Sequence, residues 1–191
     1  MNTSKKFAFA FASLALATGA QAFSGQPTDT TIGYSFAETA GTGVLTFVLD
    51  GFNSLDGKNF YEDDFTIKVN GSTIFDGTFN LGGGGANDVY LQPVGTTISG
   101  LATTTATTWA GGVLTFSVPV TLVDGSNTFD FAYTSLPTST GHAGFQGIGD
   151  EGWFVESVAV TAVPEPTSVA LMLAGLGIIG GLARRRGTHR A

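Results

Sequence analysis

Alternation of apolar and polar side chains, the period of a half-buried strand, recurs along most of the chain. In Phe65-Thr66-Ile67-Lys68-Val69, three apolar positions face one way and two polar positions the other. Asn70-Gly71 follows, and then Ser72-Thr73-Ile74-Phe75. Asn and Gly accept positive φ at both centres of a two-residue primed turn, so this stretch predicts a β-hairpin. Further strands are predicted over Thr31–Phe36, Val44–Leu49, Asp88–Gln92, Val113–Val123, Asn127–Tyr133 and Trp153–Val160. Phe129, Phe131 and Tyr133 share one face, and Phe154, Val158 and Val160 share another that Glu156 interrupts. Asp50-Gly51, Asp56-Gly57, Asp76-Gly77 and Asp124-Gly125 read as turns. Gly82 to Gly85 reads as a flexible hairpin loop, and Ala102 to Thr108 fits either a strand or a loose surface loop. No segment between Phe23 and Ala162 keeps a helical period. Eight to ten short strands with turns between them predict an all-β domain over residues 23–162, an antiparallel β-sandwich of jelly-roll-like type.

The two ends break this pattern. Lys5 and Lys6 precede an uncharged, mostly apolar run from Phe7 to Ala20, and Ala20-Gln21-Ala22 places small residues at the positions a signal peptidase reads. Residues 1–22 are therefore expected to be a signal peptide, cleaved before Phe23. At the other end, Thr167 to Ala183 is uncharged and precedes Arg184, Arg185 and Arg186. As a helix that run is roughly 26 Å long, near the lower limit for crossing a bilayer. It predicts a single transmembrane helix at about 167–183, with the arginines held cytoplasmic and the domain outside. Three arginines and four glycines argue against a buried core helix, while an ordinary permanent anchor stays open. Pro164 and Pro166 press Val163 and Glu165 toward extended backbone, so an exposed, strand-like peptide leads into the helix.

Val163-Pro164-Glu165-Pro166, a short apolar helix and a terminal arginine cluster, in that order, resemble the PEP-CTERM sorting signal of Gram-negative bacteria. The resemblance covers about Val163 to Arg186, within a tail of residues 163–191. It implies recognition by an exosortase, an integral-membrane, cysteine-protease-like enzyme that cuts near the Pro-Glu-Pro motif. On this sequence it makes Val163, Pro164, Glu165 and Pro166 the sorting motif, and the apolar run the membrane retention signal. Arg184, Arg185 and Arg186 become the cytoplasmic stop. It further implies an inner-membrane-anchored precursor, then a product at the cell surface or in an extracellular matrix, with exopolysaccharide in a biofilm as a partner.

Charge and composition narrow what the domain does. All fifteen acidic residues lie between Asp29 and Glu165, where Lys58 and Lys68 are the only basic ones, so the segment carries 2 − 15 = −13. That excludes nucleic acid as a partner and leaves basic partners or divalent cations. The chain has no cysteine, which removes disulfides, thiolate metal sites and thiol nucleophiles. His142 is the domain's single histidine, without a G-x-S-x-G elbow, so neither a Ser-His-Asp triad nor a zinc site is expected. Neighbouring carboxylates on a strand, as in Glu62-Asp63-Asp64, point to opposite faces, which argues against a catalytic pair. The protein is thus expected not to be an enzyme. Calcium, which takes oxygen ligands from loops, is the cofactor the composition allows. Asp50 to Asp64 has the composition of a calcium loop, but aligning Gly57 with the EF-hand glycine puts Phe52 at the first ligand position, and that motif fails. Asp150 and Glu151, just before the last strand, are the candidate metal ligands. Trp109, between Thr-rich and Gly-rich stretches, is the candidate glycan-stacking residue, with Trp153, Tyr61 and Tyr90 as further rings. The sequence therefore points to an exported, non-enzymatic surface or extracellular-matrix protein. A calcium- or carbohydrate-binding, lectin-like module is the alternative.

Overall fold

The computed structural model describes residues 30–135, 150–163 and 171–179. The expected signal peptide with Ala20 and Ala22, His142, Pro164, Glu165, Pro166 and Arg184 to Arg186 lie outside the described residues. Eleven strands are present among the described residues: β1 (Thr30–Glu38), β2 (Gly41–Asn53), β3 (Leu55–Asp56), β4 (Asp63–Val69), β5 (Ser72–Thr78), β6 (Gly82–Gly84), β7 (Asp88–Leu91), β8 (Thr97–Ser99), β9 (Gly112–Leu122), β10 (Gly125–Ser135) and β11 (Glu151–Val163). One sheet has the order β1-β10-β4-β5-β7, the other β11-β2-β9-β8, and β3 and β6 form a small third pair. All pairings are antiparallel except β3 with β6.

The period of two builds the core. Leu45, Phe47 and Leu49 of β2 and Leu114, Phe116 and Val118 of β9 are buried on one sheet. Phe65 and Ile67 of β4, Phe75 of β5, and Phe129, Phe131 and Tyr133 of β10 are buried on the other. Rings from the two sheets meet: Phe47 lies 4.9 Å from Phe131, and Phe65 lies 5.7 Å from Phe116, centroid to centroid. Each such pair adds about 0.5–1.5 kcal/mol to the gain from burial alone. With no cysteine to cross-link it, the sandwich rests on this aromatic layer and on its ladders.

The Asn70-Gly71 hairpin forms as expected, with φ of 50° and 80° and Val69 opposite Ser72. Asp124-Gly125 also turns the chain. Two other Asp-Gly pairs do not: Asp50-Gly51 lies within β2 and Asp76-Gly77 within β5. Gly51 makes room for a neighbour, since a Cβ there would lie 2.5 Å from Leu81 Cβ. The expected facing in the last strand also needs correction. Ser157 takes a φ of 54° and the register slips between Glu156 and Ala159, a bulge. Trp153 and Val155 face the core before it and Val160 after it.

The glycine run is not a flexible loop. Gly82 to Gly84 form β6, packed so closely that a Cβ on Gly82 would lie 1.9 Å from Asn53 O. Ala102 to Thr108 is irregular and mostly exposed, but it is pinned to this seam. Asn80 Nδ2 donates to the carbonyls of Thr104 and Ala106, and Gly85 N donates to Thr105 O.

β11 is an edge strand, and the Tyr34 hydroxyl of β1 donates to its Val155 carbonyl at 3.0 Å. Val163, assigned by sequence to the tail, is the last residue of this strand and pairs with Thr42. Beyond it, residues 171–179 form a helix. Its Leu171, Met172, Leu173, Leu176, Ile178 and Ile179 are 58–73% exposed. No helix among the described residues is long and apolar enough to cross a membrane. The remainder of the expected 167–183 span lies outside the described residues.

Candidate metal centre

Three carboxylates meet inside one end of the sandwich. Asp63 and Glu151 open β4 and β11, and each occupies the inward phase of its strand, in step with buried Phe65 and Trp153. The alternation that draws the aromatic rings into the core draws these two acids in with them. Asp56 ends β3, which is held against the glycine seam: Leu81 N donates to Leu55 O at 3.1 Å and Gly57 N to Gly84 O at 2.8 Å. Carboxylate oxygens of Asp56, Asp63 and Glu151 all lie within 4.8 Å of one another. The three residues are 6%, 0% and 1% exposed.

Hydrogen bonds fix the surrounding loops. Asp56 N donates to Asp63 Oδ2 at 3.0 Å, and Asn59 Nδ2 donates to Asp56 Oδ1 at 2.6 Å. Ser54 N donates to Asp150 O at 3.0 Å, and the Ser54 hydroxyl lies 2.9 Å from Asp150 Oδ1. Burial pushes the Asp56 carboxyl up to about 6; the Asn59 hydrogen bond opposes this and the Asp150 charge adds to it. The Tyr133 hydroxyl is fully enclosed and has no hydrogen-bond partner among the described residues. Its ionisation is held far above the usual phenol range, first by burial and then by the charges of Asp63, Asp64, Asp56 and Glu151.

Asp64, next to Asp63, points to the opposite face of β4, as a strand requires. There burial, with the charges of Asp76 and Glu62, pushes its carboxyl up to about 7. Tyr90 donates its hydroxyl to Glu62 Oε1, and the Lys58 ammonium lies 5.2 Å from the centre of the Tyr90 ring.

The inner cluster has the chemistry of a hard-cation site. Calcium binds oxygens at about 2.3–2.6 Å, so ligands across one ion lie up to about 5 Å apart. Among the described residues the cluster contains no imidazole, and the chain has no thiolate; these are the donors that select transition metals. It does not suit glycoside hydrolysis, which needs two carboxyl groups about 5–9.5 Å apart flanking an accessible bond. Of the two ligands expected from sequence, Glu151 lies in the cluster, while the Asp150 carboxylate turns to Ser54. Asp56 and Asp63 were not singled out from the sequence, although the phase of Asp63 with Phe65, Ile67 and Val69 was there to be read. Trp109 is 61% exposed, at a φ of 55°, with its backbone N–H donating to Gly82 O at 3.0 Å. Tyr61 and Tyr90 are also exposed, whereas Trp153 is wholly buried and cannot stack on a sugar.

Comparison with protein-family models finds a match to the PEP-CTERM protein-sorting motif over residues 162–186. The match begins on the last two residues of β11. A search of curated proteins finds no match to the chain.

Proposed function

Starting from a chain that carries a PEP-CTERM sorting motif, the mark of an exported protein processed by an exosortase, we propose a non-enzymatic component of the cell surface or extracellular matrix of a Gram-negative bacterium. The observation that carries this reading is the motif at residues 162–186, joined to the end of β11 without an intervening domain. The helix over 171–179 supports it. A helix apolar on every side suits a membrane rather than a water-facing surface. The domain's acidity, −13 between Asp29 and Glu165, suits a soluble module working outside the cell, with exopolysaccharide as its setting. The enclosure of the acidic cluster favours a structural or binding role over catalysis.

Mass spectrometry of the mature protein from its native host tests the proposal. The expected product begins near Phe23 and ends within Pro164 to Pro166. A surface-exposed protein that keeps Arg184 to Ala191 would overturn exosortase processing and leave a permanent anchor.

A further inference from the structure

We propose that Asp56, Asp63 and Glu151 hold a calcium ion that clips the end of the sandwich together, with the Tyr133 hydroxyl bonded to a water of the ion's shell. Two independent observations lead there. The first is the convergence of three buried carboxylates, with oxygens inside 4.8 Å, from three separate strands. Three carboxylates this close repel one another, and a divalent cation between them would turn that repulsion into shared coordination. The second is the Tyr133 hydroxyl, a completely enclosed polar group without a hydrogen-bond partner among the described residues. Its ring packs 5.6 Å from Phe65 and 5.9 Å from Trp153, the inward neighbours of Asp63 and Glu151 on their strands. The charges of Asp63, Asp56 and Glu151 reach that hydroxyl, and a water of a cation held by the three acids would give it a partner.

Calcium fits better than magnesium. It accepts irregular all-oxygen coordination at longer distances, whereas magnesium demands near-ideal octahedral geometry and keeps most of its waters. The ion would tie the loop between β3 and β4 to the start of β11, the strand that continues into the sorting motif. This inference does not depend on the proposed function: a protein that keeps its tail can still bind calcium.

The test uses the full chain in detergent, stripped with EGTA, in thermal denaturation with added calcium or magnesium and in terbium luminescence. Calcium is expected to raise the melting temperature saturably by at least about 5 °C, with magnesium much weaker. Terbium excited through Tyr133 and Trp153 should emit, and calcium should quench that emission by displacement. Asp63→Asn and Glu151→Gln should abolish both responses, whereas Glu156→Gln, farther along β11, should keep them. Tyr133→Phe, which retains the ring packing, should weaken calcium affinity severalfold while Trp153 still sensitises terbium. If the cluster variants fail to fold, the wild-type responses decide. No thermal shift and no displaceable emission at about 10 mM calcium overturns the proposal. So does a full response in a folded Glu151→Gln variant, which would move the ion to other acids such as Glu62, Asp64 and Asp76.

Discussion

Adding one methyl group to the glycine seam gives a sharp measure of how tightly this sandwich is built. Gly83 lies in β6, and a Cβ there would stand 2.1 Å from Ser54 O, 2.5 Å from Asp56 Cγ and 2.6 Å from Asp56 Oδ2. The nearest atom is backbone, and Ser54 is itself tied to Asp150 through its N–H. Relief therefore requires β3 and β6 to separate by about 1 Å, at the expense of bonds such as Gly57 N to Gly84 O. Overpacking of this kind costs roughly 1–3 kcal/mol, and a lost backbone hydrogen bond about 1 kcal/mol more. The reduced freedom of the unfolded chain returns about 0.4–1 kcal/mol. Gly83→Ala should thus destabilise by about 2–3 kcal/mol, a fall in melting temperature of roughly 5–10 °C for a chain of this size. Circular dichroism melts against Gly33→Ala provide the comparison. At Gly33 a Cβ would meet only the side-chain oxygen of Asp130, at 3.2 Å. Equal melting temperatures for the two variants would refute the reasoning, because the seam would then be yielding.

Two further outcomes follow from the same physics. Asn127 is fully buried; its Oδ1 accepts from Val123 N and Asn70 Nδ2, and its Nδ2 donates to Val123 O and Gly125 O. Asn127→Ala orphans those groups and should cost about 2–3 kcal/mol in urea denaturation; an unchanged midpoint contradicts the account. Asp76 has its carboxyl raised above 3.8, by burial first and the Glu62 charge second. A raised carboxyl contributes stability that is complete below 3.8 and lost as pH climbs through the folded value. Asp76→Asn should therefore match wild type near pH 4 and exceed it in melting temperature near pH 8, and the opposite trend would reject the assignment.

Much of the fold was legible because a period of two with buried phenylalanines leaves little choice of facing. Phe129, Phe131 and Tyr133 point inward as their spacing requires, and Asn70-Gly71 turns the chain. What misled was glycine, which serves two purposes that look alike in a sequence. At 125 it turns the chain; at 51 and 77 it lets another part of the molecule approach a continuous strand. The last strand was misphased because a bulge at Ser157 leaves no compositional trace. The sorting motif was legible because it is local in sequence, whereas the pairing of Val163 in β11 was not. The acidic cluster was half legible: Glu151 stood out beside a turn, whereas Asp56 reaches it only through β3 and a parallel partner strand that no pattern announced.

The junction between β11 and the helix sets a length scale. Strand and described helix are separated by residues 164–170, a leash of no more than about 25 Å even when drawn straight. On the proposed reading, with that helix in the membrane, the sandwich would stay within roughly one domain diameter of the lipid. A product cut within Pro164 to Pro166, as proposed, would carry no more than three residues beyond the end of β11.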